Sequence, residues 1–435
     1  MSDKVITRIA PSPTGEMHIG TVRTALFNYL WAKKNGGAFL VRIEDTDTSR
    51  NRAEWTELIW SDFAWCGLVP DKKYIQSEHA ARHNELLNKL VEEGKAYVSK
   101  EQAKDDSGRE VEVVRLKNPG SRVVFADAVH GEISIDTADL GDFVIARSLT
   151  EPLYHFAVVV DDADAGVTHV IRGEDIMSST ARQILIQEAL GFARPAYVHL
   201  PLILSKDRKK LSKRKDVVSL DDYRQSGFIP EGIVNYLALL GWNPGTEEEI
   251  FTLEELTQRF GLEQIQKSGA IFDDVKLRWF NHEHLKRLSD EEYAKRLFDL
   301  VGQTVDMRLV PLIKERAQTL KEAQDMLLSE FEFLQGASYE PELLLNKGKI
   351  AKEDASKHLQ AVSDILERVA DEDFTALHIK EAVWPYADHE GRGNVLWPLR
   401  VALSGREKSP DPFTIAALIG RTESLARIAQ ALKNL

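Results

Sequence analysis

Three short segments of this chain hold residue types that could do chemistry. The first is Thr7-Arg8-Ile9-Ala10-Pro11-Ser12-Pro13-Thr14-Gly15-Glu16-Met17-His18-Ile19-Gly20-Thr21, a strand pattern, a proline-rich turn and the start of a helix. Unpaired backbone N–H groups and the helix dipole at such a start favour phosphate. Gly20 lets a flat or charged ligand approach the backbone, and His18 can donate to a phosphate oxygen as charge develops. The plainer alternative makes His18 an ordinary residue of the cap region. Arg8 sits between Ile6 and Ala10 in an otherwise apolar segment, as an anion ligand or as half of a buried ion pair. The second segment, Arg42-Ile43-Glu44-Asp45-Thr46-Asp47, lies just past the carboxyl end of a strand, where open α/β sheets bind ligands. Acids there suit an ammonium, ribose hydroxyls or a metal-bound nucleotide, or simply cap a turn. The third is Lys210-Leu211-Ser212-Lys213-Arg214. Two lysines three apart can clamp a polyphosphate while charge moves onto pyrophosphate. Residues 206–215 carry seven basic groups in ten, which alone would describe a solvated loop.

The elements around these segments alternate. Lys4–Ala10 and Ala38–Ile43 read as strands, and the stretch from Thr21 to Asn35-Gly36-Gly37 and the stretch Arg52–Cys66 read as helices. Strand, helix, strand, helix means βαβ units and a parallel sheet. A further amphipathic helix is predicted over 76–94. Lys100–Gly120 has no clean period, and Val123–Asp136 and Asp142–Ser148 resemble short antiparallel strands, so this part reads as an insertion. The sheet is predicted to resume with strands Tyr154–Val160 and Val167–Arg172, then the helix Ser179–Leu190 and the strand Tyr197–Leu204. Beyond the basic loop strand patterns nearly vanish. Pro230 opens a helix, Thr252-Leu253-Glu254-Glu255 has capping-box spacing, and from about 282 only helical periods remain, including one predicted helix Pro311–Leu334.

Composition bounds the answer. The chain has 435 residues, 43% hydrophobic and 29% charged, enough apolar surface for more than one core. No run approaches the ~18 residues of a membrane span. The lone Cys66 excludes an intramolecular disulfide and a thiolate zinc cluster; with no leader pattern after Met1, a reducing, cytoplasmic setting is expected. Fifty-six basic against 69 acidic residues give a net charge of −13, so any nucleic-acid contact needs a local basic face. His79 and His83 have the i,i+4 spacing of a helical metal pair, but no Glu-x-x-His order surrounds them, and they read as surface residues of a helix.

The phrases Pro11-Ser12-Pro13-Thr14-Gly15 with His18-Ile19-Gly20-Thr21, and Lys210-Leu211-Ser212-Lys213-Arg214 about 190 residues on, resemble a class I aminoacyl-tRNA synthetase. More closely the chain resembles the bacterial glutamyl-tRNA synthetases, through Arg8–Gly15, Arg23-Thr24-Ala25-Leu26, Val41–Asp47, Val158–Asp162, Val170–Asp175 and Lys276-Leu277-Arg278-Trp279. The resemblance implies an α/β plus all-α fold. A Rossmann-like parallel-sheet catalytic domain (1–75 and 148–215) would be split by a small α+β acceptor-stem insertion (76–147). A stem-contact region (216–289) and an all-helical anticodon-binding domain (290–435) would follow. It implies ATP-dependent ligation of L-glutamate to tRNA through glutamyl-adenylate, with Mg²⁺ assisting the phosphates and no zinc. The resemblance also assigns roles. Arg8 and Arg172 would face the substrate's side-chain carboxylate, Tyr154 would add a hydroxyl, Glu44 would meet the ammonium and Ser12 the α-carboxylate region. His18, Gly20, Thr21, Glu174, Lys210 and Lys213 would handle ATP, with Ser212 in the same loop. Arg316 would lie near the third anticodon base, on a helix that otherwise reads as carrying one more solvated cation. Three departures stand out. Thr21 takes the place of a second histidine, Ile176 stands where an aromatic or histidine is usual, and the insertion is short and lacks cysteine. The alternatives are a non-catalytic tRNA-binding paralogue, or a relative glutamylating glutamine tRNA or a modified tRNA base. A monomer without membrane contact is expected.

Overall fold

β-Branched alternation after Lys4 produces β1 (Ile6–Ile9), followed by α1 (Ile19–Lys34), β2 (Ala38–Ile43), α2 (Ala53–Trp65) and β3 (Lys72–Ile75). The three strands run parallel in the order β1-β2-β3, with Arg8 opposite Leu40 and Leu40 opposite Lys72. β3, whose residues are exposed or half-buried, has no sequence period that would announce it. The turn from α1 into β2 depends on Gly37: a Cβ there would sit 1.9 Å from the Val5 carbonyl oxygen, inside any contact distance. In this computed structural model residues 4–46, 50–102, 109–209, 219–302 and 304–435 are described. The chain divides into two compact units, Met1–Arg287 and Leu288–Leu435.

The stretch expected as an insertion, 76–147, holds α3 (Ala80–Glu92), β4 (Ala96–Gln102), β5 (Glu110–Leu116), β6 (Arg122–Asp127), β7 (Gly131–Asp136) and nearly all of β8 (Phe143–Ser148), and β9 (Glu151–Pro152) follows it. β4, β5, β8 and β9 form an antiparallel sheet, so part of the stretch that lacked a period is strand. The β6–β7 hairpin leaves that sheet.

The segment Tyr154–Val160, expected as a strand, is instead the first two turns of α4 (Tyr154–Asp164). Its apolar run, Phe156 to Val160, is buried on every side against Leu86, Ile145 and Ile184. A short apolar run buried all round carries no period that separates helix from strand. Then come β10 (His169–Gly173), α5 (Thr180–Leu190), β11 (Ala196–Leu200) and β12 (Ile203–Leu204). The expected strand Tyr197–Leu204 breaks at Pro201, and β12 pairs with β13 (Ala270–Ile271). The second sheet is mixed, in the order β10-β11-β6-β7: β10, β11 and β6 run parallel, and the hairpin adds itself to β11 with Asp127 beside Tyr197 and β7 antiparallel at the edge. β10 also lies against β1, where the Thr168 N–H donates to the Ile6 carbonyl at 2.9 Å and the Ile6 N–H to Thr168 Oγ1 at 2.8 Å. The chain thus winds outward in two directions from β1 and β10. The carboxyl ends of that pair are the crevice where such sheets bind ligands.

α6 (Leu220–Gln225), α7 (Pro230–Leu239), α8 (Leu253–Arg259) and α9 (Asp274–Arg287) complete the first unit. The capping box at Thr252 and Glu255 is present, as is a second at Ser219 and Asp222. These helices share a core with α1 and β2, including the Phe27 and Phe260 rings at 5.1 Å. The insertion strands likewise share a core with α4 and α5.

The second unit comprises α10 (Asp290–Val301), α11 (Val310–Arg316), α12 (Leu320–Ser329), α13 (Lys352–Leu366), α14 (Ala376–Glu390), α15 (Arg392–Ser404), α16 (Pro412–Ile419) and α17 (Arg421–Asn434). The predicted helix Pro311–Leu334 is two helices. Thr319 accepts the Glu322 N–H at 3.2 Å while Glu322 accepts the Gln318 N–H at 2.8 Å, a cap that starts α12 afresh. Among the described residues no helix is long and apolar enough to cross a membrane.

Candidate active site

α1 delivers its N-terminus to the crevice. His18 is its N-cap residue, half-buried, and its ring makes no capping hydrogen bond. No acidic side chain occupies the first turn, so the positive end of the helix is uncompensated there. Gly20 is not demanded by packing: a Cβ would meet nothing closer than Ile203 Cδ1 at 4.0 Å. Room at that position is therefore left over for a ligand. Thr21 donates its N–H to the His18 carbonyl at 2.9 Å. The exposed Ser12 follows β1, and its loop is tied to the end of β2 by the Glu44 N–H donating to the Pro11 carbonyl at 3.0 Å.

A buried network of charges lies below this loop. Asp162, on α4, accepts Arg8 Nε on both oxygens at 3.1 Å and Arg42 Nη1 at 2.6 Å. Burial alone would raise the Asp162 carboxyl, but the two guanidiniums outweigh it and hold it below the ordinary range. Arg42 Nη2 reaches Glu44 Oε1 at 3.2 Å. Burial pushes the Glu44 carboxyl up against that pairing. Asp161 accepts Gln76 Nε2 at 2.7 Å and lies 2.6 Å from His83 Nε2. His83, expected at the surface, is thus fully buried: its side of α3 packs onto α4, and Asp161 satisfies the ring. Its expected partner His79 precedes α3 and stacks on Tyr74. Asp45 turns away to accept the Ser77 N–H at 2.9 Å, a capping role; Asp47 lies outside the described residues.

Arg172, at the carboxyl end of β10, is 5% exposed. Its Nε donates to His199 Nε2 at 3.2 Å, its Nη1 to Gln183 Oε1 at 2.7 Å and its Nη2 to Thr180 Oγ1 at 2.7 Å. All three acceptors are neutral. Burial, reinforced by the nearby Arg8 charge, lowers its pKa. A buried cation whose hydrogen bonds go to neutral acceptors keeps a charge that can attract an anion. Tyr154, the first residue of α4, is 42% exposed toward the crevice. The protein packed around its hydroxyl pushes that group's pKa up, with Glu44 adding to the rise and Arg172 and Arg8 opposing it. These four groups therefore share one field.

Glu174, expected at ATP, spends Oε1 on the Leu202 N–H at 3.0 Å, and its other oxygen is 3.5 Å from His130 Nε2. Lys210, Ser212 and Lys213 lie outside the described residues. Arg316 ends α11, is solvent-facing, and pairs at 2.7 Å with Oε2 of Glu330, which caps the C-terminal end of α12. It borders a cavity of ≈ 420 Å³ with Gln318, Glu322 and Asp325. Among the described residues no group of three or more His, Cys, Asp or Glu is arranged to hold a metal ion.

Sequence reasoning gave no role to Arg42, Asp161, Asp162, Gln76, Asp127 or His199. The doubled acid closing the apolar run Val158-Val159-Val160-Asp161-Asp162 was the available signal, since adjacent buried carboxylates require cationic partners.

The family model described as "tRNA synthetases class I (E and Q), catalytic domain" matches residues 4–106 and 99–279, and that of an "Anticodon binding domain" matches 270–432. The chain is 39% identical to a glutamate–tRNA ligase of Nitratidesulfovibrio vulgaris over 464 aligned positions, covering 98% of this chain and 99% of the relative. It is 36% identical to one of Carboxydothermus hydrogenoformans, with the same coverage. A crystal structure of a glutamate tRNA ligase from Elizabethkingia meningosepticum in complex with its amino acid superposes with a TM-score of 0.86 at 29% identity, over 99% of both chains. The Nitratidesulfovibrio alignment is longer than the stretch of this chain it covers, and the catalytic match changes pieces at 99–106.

Proposed function

We infer that this chain, which belongs to the class I tRNA synthetases acting with glutamate and glutamine, ligates L-glutamate to tRNA at the expense of ATP. The observation that carries the choice of amino acid is Arg172. Its guanidinium is buried, immobilised by three neutral acceptors, and set beside Tyr154 at the crevice. A side-chain carboxylate supplies the missing negative charge. Glutamine would leave the cation underpaired, and a site built to bond a group rejects the analogue lacking it strongly.

The reaction has two steps. A glutamate α-carboxylate oxygen attacks the α-phosphorus of ATP and pyrophosphate leaves. A terminal ribose hydroxyl of the tRNA then attacks the acyl carbon and AMP leaves. In this reading Arg172 and Arg8 orient the side-chain carboxylate, Tyr154 adds a donor, Glu44 meets the ammonium and Ser12 the α-carboxylate. Arg8 acts with its charge already shared with Asp162, which supports Arg172 as the main anion ligand. The N-terminus of α1, with His18, Gly20 and Thr21, receives the ATP phosphates. Lys210 and Lys213 gather charge on the leaving pyrophosphate, with Ser212 between them. Glu174 supports this side by bracing Leu202. Mg²⁺ would enter with the ATP phosphates and offset their charge; the described residues offer no cluster of three or more acidic, His or Cys side chains of their own for it. Residues 76–147 would meet the acceptor stem, and the helical unit would read the anticodon, with Arg316 as the base-contacting residue. A protein of this kind works as a monomer.

The match to an anticodon-binding domain over 270–432 disfavours a relative that modifies a tRNA base without reading the anticodon. Charging of purified glutamate and glutamine tRNAs with labelled glutamate and ATP tests the reading. Glutamyl-tRNA should form on the glutamate tRNA, and product on neither would refute it.

A further inference from the structure

The hairpin turn Asp127-Ala128-Val129-His130 belongs to the insertion, yet it reaches into the catalytic sheet. Asp127 is fully buried. One of its oxygens accepts the Val129 and His130 N–H groups at 3.0 and 2.9 Å. The other accepts the His199 N–H at 3.1 Å and lies 2.7 Å from His199 Nδ1. A carboxylate with four donors is an acceptor only. The ring nitrogen facing it must therefore be N–H. On the other side of the ring, Nε2 faces Arg172 Nε and Thr180 Oγ1, each at 3.2 Å; a guanidinium only donates, and the Thr180 oxygen already accepts Arg172 Nη2 and has its own proton to give, so Nε2 carries the lone pair. The two constraints fix one neutral tautomer, Nδ1–H with Nε2 bare. The surroundings agree. Tyr197 lies nearly parallel to the ring with centroids 6.2 Å apart, and Phe125 tilts against it at 6.4 Å from the same side, while Thr180 and Gln183 of α5 complete the grip on Arg172. His130 lies beyond, with its ring nitrogen on the His199 carbonyl at 3.1 Å. Arg172 and His199 are neighbours across β10 and β11, so the alignment is set by strand register.

We propose that Asp127 and His199 are positioning residues for glutamate recognition: Asp127 locks the tautomer of His199, whose bare Nε2 aims the Arg172 guanidinium at the substrate's side-chain carboxylate. This rests on Arg172 being that carboxylate's ligand. It assigns to a hairpin of the insertion a part in choosing the amino acid. A neutral acceptor at Nε2 has a specific advantage. A carboxylate there would align the guanidinium equally well but would cancel the charge the substrate must meet.

The test compares His199→Gln, His199→Asn and Asp127→Asn with Arg172→Ala, reading KM for L-glutamate and for ATP separately in tRNA charging. Glutamine keeps an acceptor near the Nε2 position; asparagine keeps only the Asp127 side. His199→Asn and Asp127→Asn should raise the glutamate KM about tenfold, with the ATP KM within about twofold, and His199→Gln should recover most of the loss. Nitrogen-15 NMR of histidine-labelled wild-type chain, with His199 assigned from the His199→Gln spectrum, should show Nδ1 protonated and Nε2 bare, whether or not the asparagine variants fold. An Nε2–H tautomer overturns the proposal. So does a normal glutamate KM in His199→Asn while Arg172→Ala is impaired, which leaves the pocket assignment standing. A normal glutamate KM in Arg172→Ala removes that assignment and the proposal with it.

Discussion

Arg172 and Arg316 were both expected to read a ligand, and their surroundings could hardly differ more. Arg172 is enclosed, and three neutral acceptors hold it without cancelling its charge. Arg316 is half exposed and already paired with Glu330. The first has one place to be and keeps its charge uncancelled by its hydrogen-bond partners. The second can leave a surface ion pair worth ~1 kcal/mol or less whenever a better partner arrives. Rigid placement suits discrimination between carboxylate and amide. An exchangeable pair suits a surface that must release a large ligand after each turnover.

The largest effect of burial is expected beside the Arg172 pocket, at the acid between Arg8 and Arg42. Asp162→Ala leaves Arg8 and Arg42 facing each other in the core, and should destabilise the first unit by about 3–5 kcal/mol in denaturant unfolding. Glu330→Ala in the exposed pair should cost below ~1 kcal/mol. Similar losses for both would erase the distinction.

Protons offer a second test. His284 is buried with Nε2 2.9 Å from Asn235 Oδ1, and burial lowers its pKa to about 4. A histidine neutral in the fold binds its proton more readily when unfolded. Its stabilisation is thus complete above about pH 6.5 and is lost as pH falls toward 4, by about 2–3 kcal/mol. Unfolding midpoints of wild type and His284→Gln should converge over that window; parallel curves would show that His284 does not titrate as described.

Arg172→Ala should lower kcat/KM for glutamate by about 2 kcal/mol, roughly thirtyfold, with the ATP KM unchanged. Near-normal kcat/KM would remove Arg172 from the pocket. The smallest effect is expected at the exposed site. Arg316→Gln should shift the ratio of glutamylation efficiencies on glutamate and glutamine tRNAs by a few fold, about 1 kcal/mol. An unchanged ratio means that Arg316 does not read the anticodon.

Much of the frame was legible in the residues. Proline and glycine mark where α1 and β2 begin, and paired Thr and Glu mark α8. What periodicity could not settle was direction. Within Tyr154–Val160 the run Phe156–Val160 is apolar and buried all round, so nothing along it distinguishes a buried helix from a buried strand. Arg172 was found by resemblance, but its partners were not: Gln183 and Thr180 come from the following helix, and His199 from the neighbouring strand. Which polar residue finishes another's hydrogen bonds is a property of strand order, and strand order is invisible until the sheet is assembled. His83 misled for the same reason, because its partner Asp161 lies 78 residues away.

The β6–β7 hairpin also bears on how the chain could be re-engineered. Its strand completes the edge of the catalytic sheet, and its turn supplies the carboxylate behind His199. Residues 76–147 are therefore not an interchangeable part. A chimaera that transplants a relative's 76–147 segment as one cassette would also replace Asp127 and disturb the hydrogen bonds behind Arg172. A graft confined to β4, β5 and β8, leaving 122–136 native, would keep those hydrogen bonds.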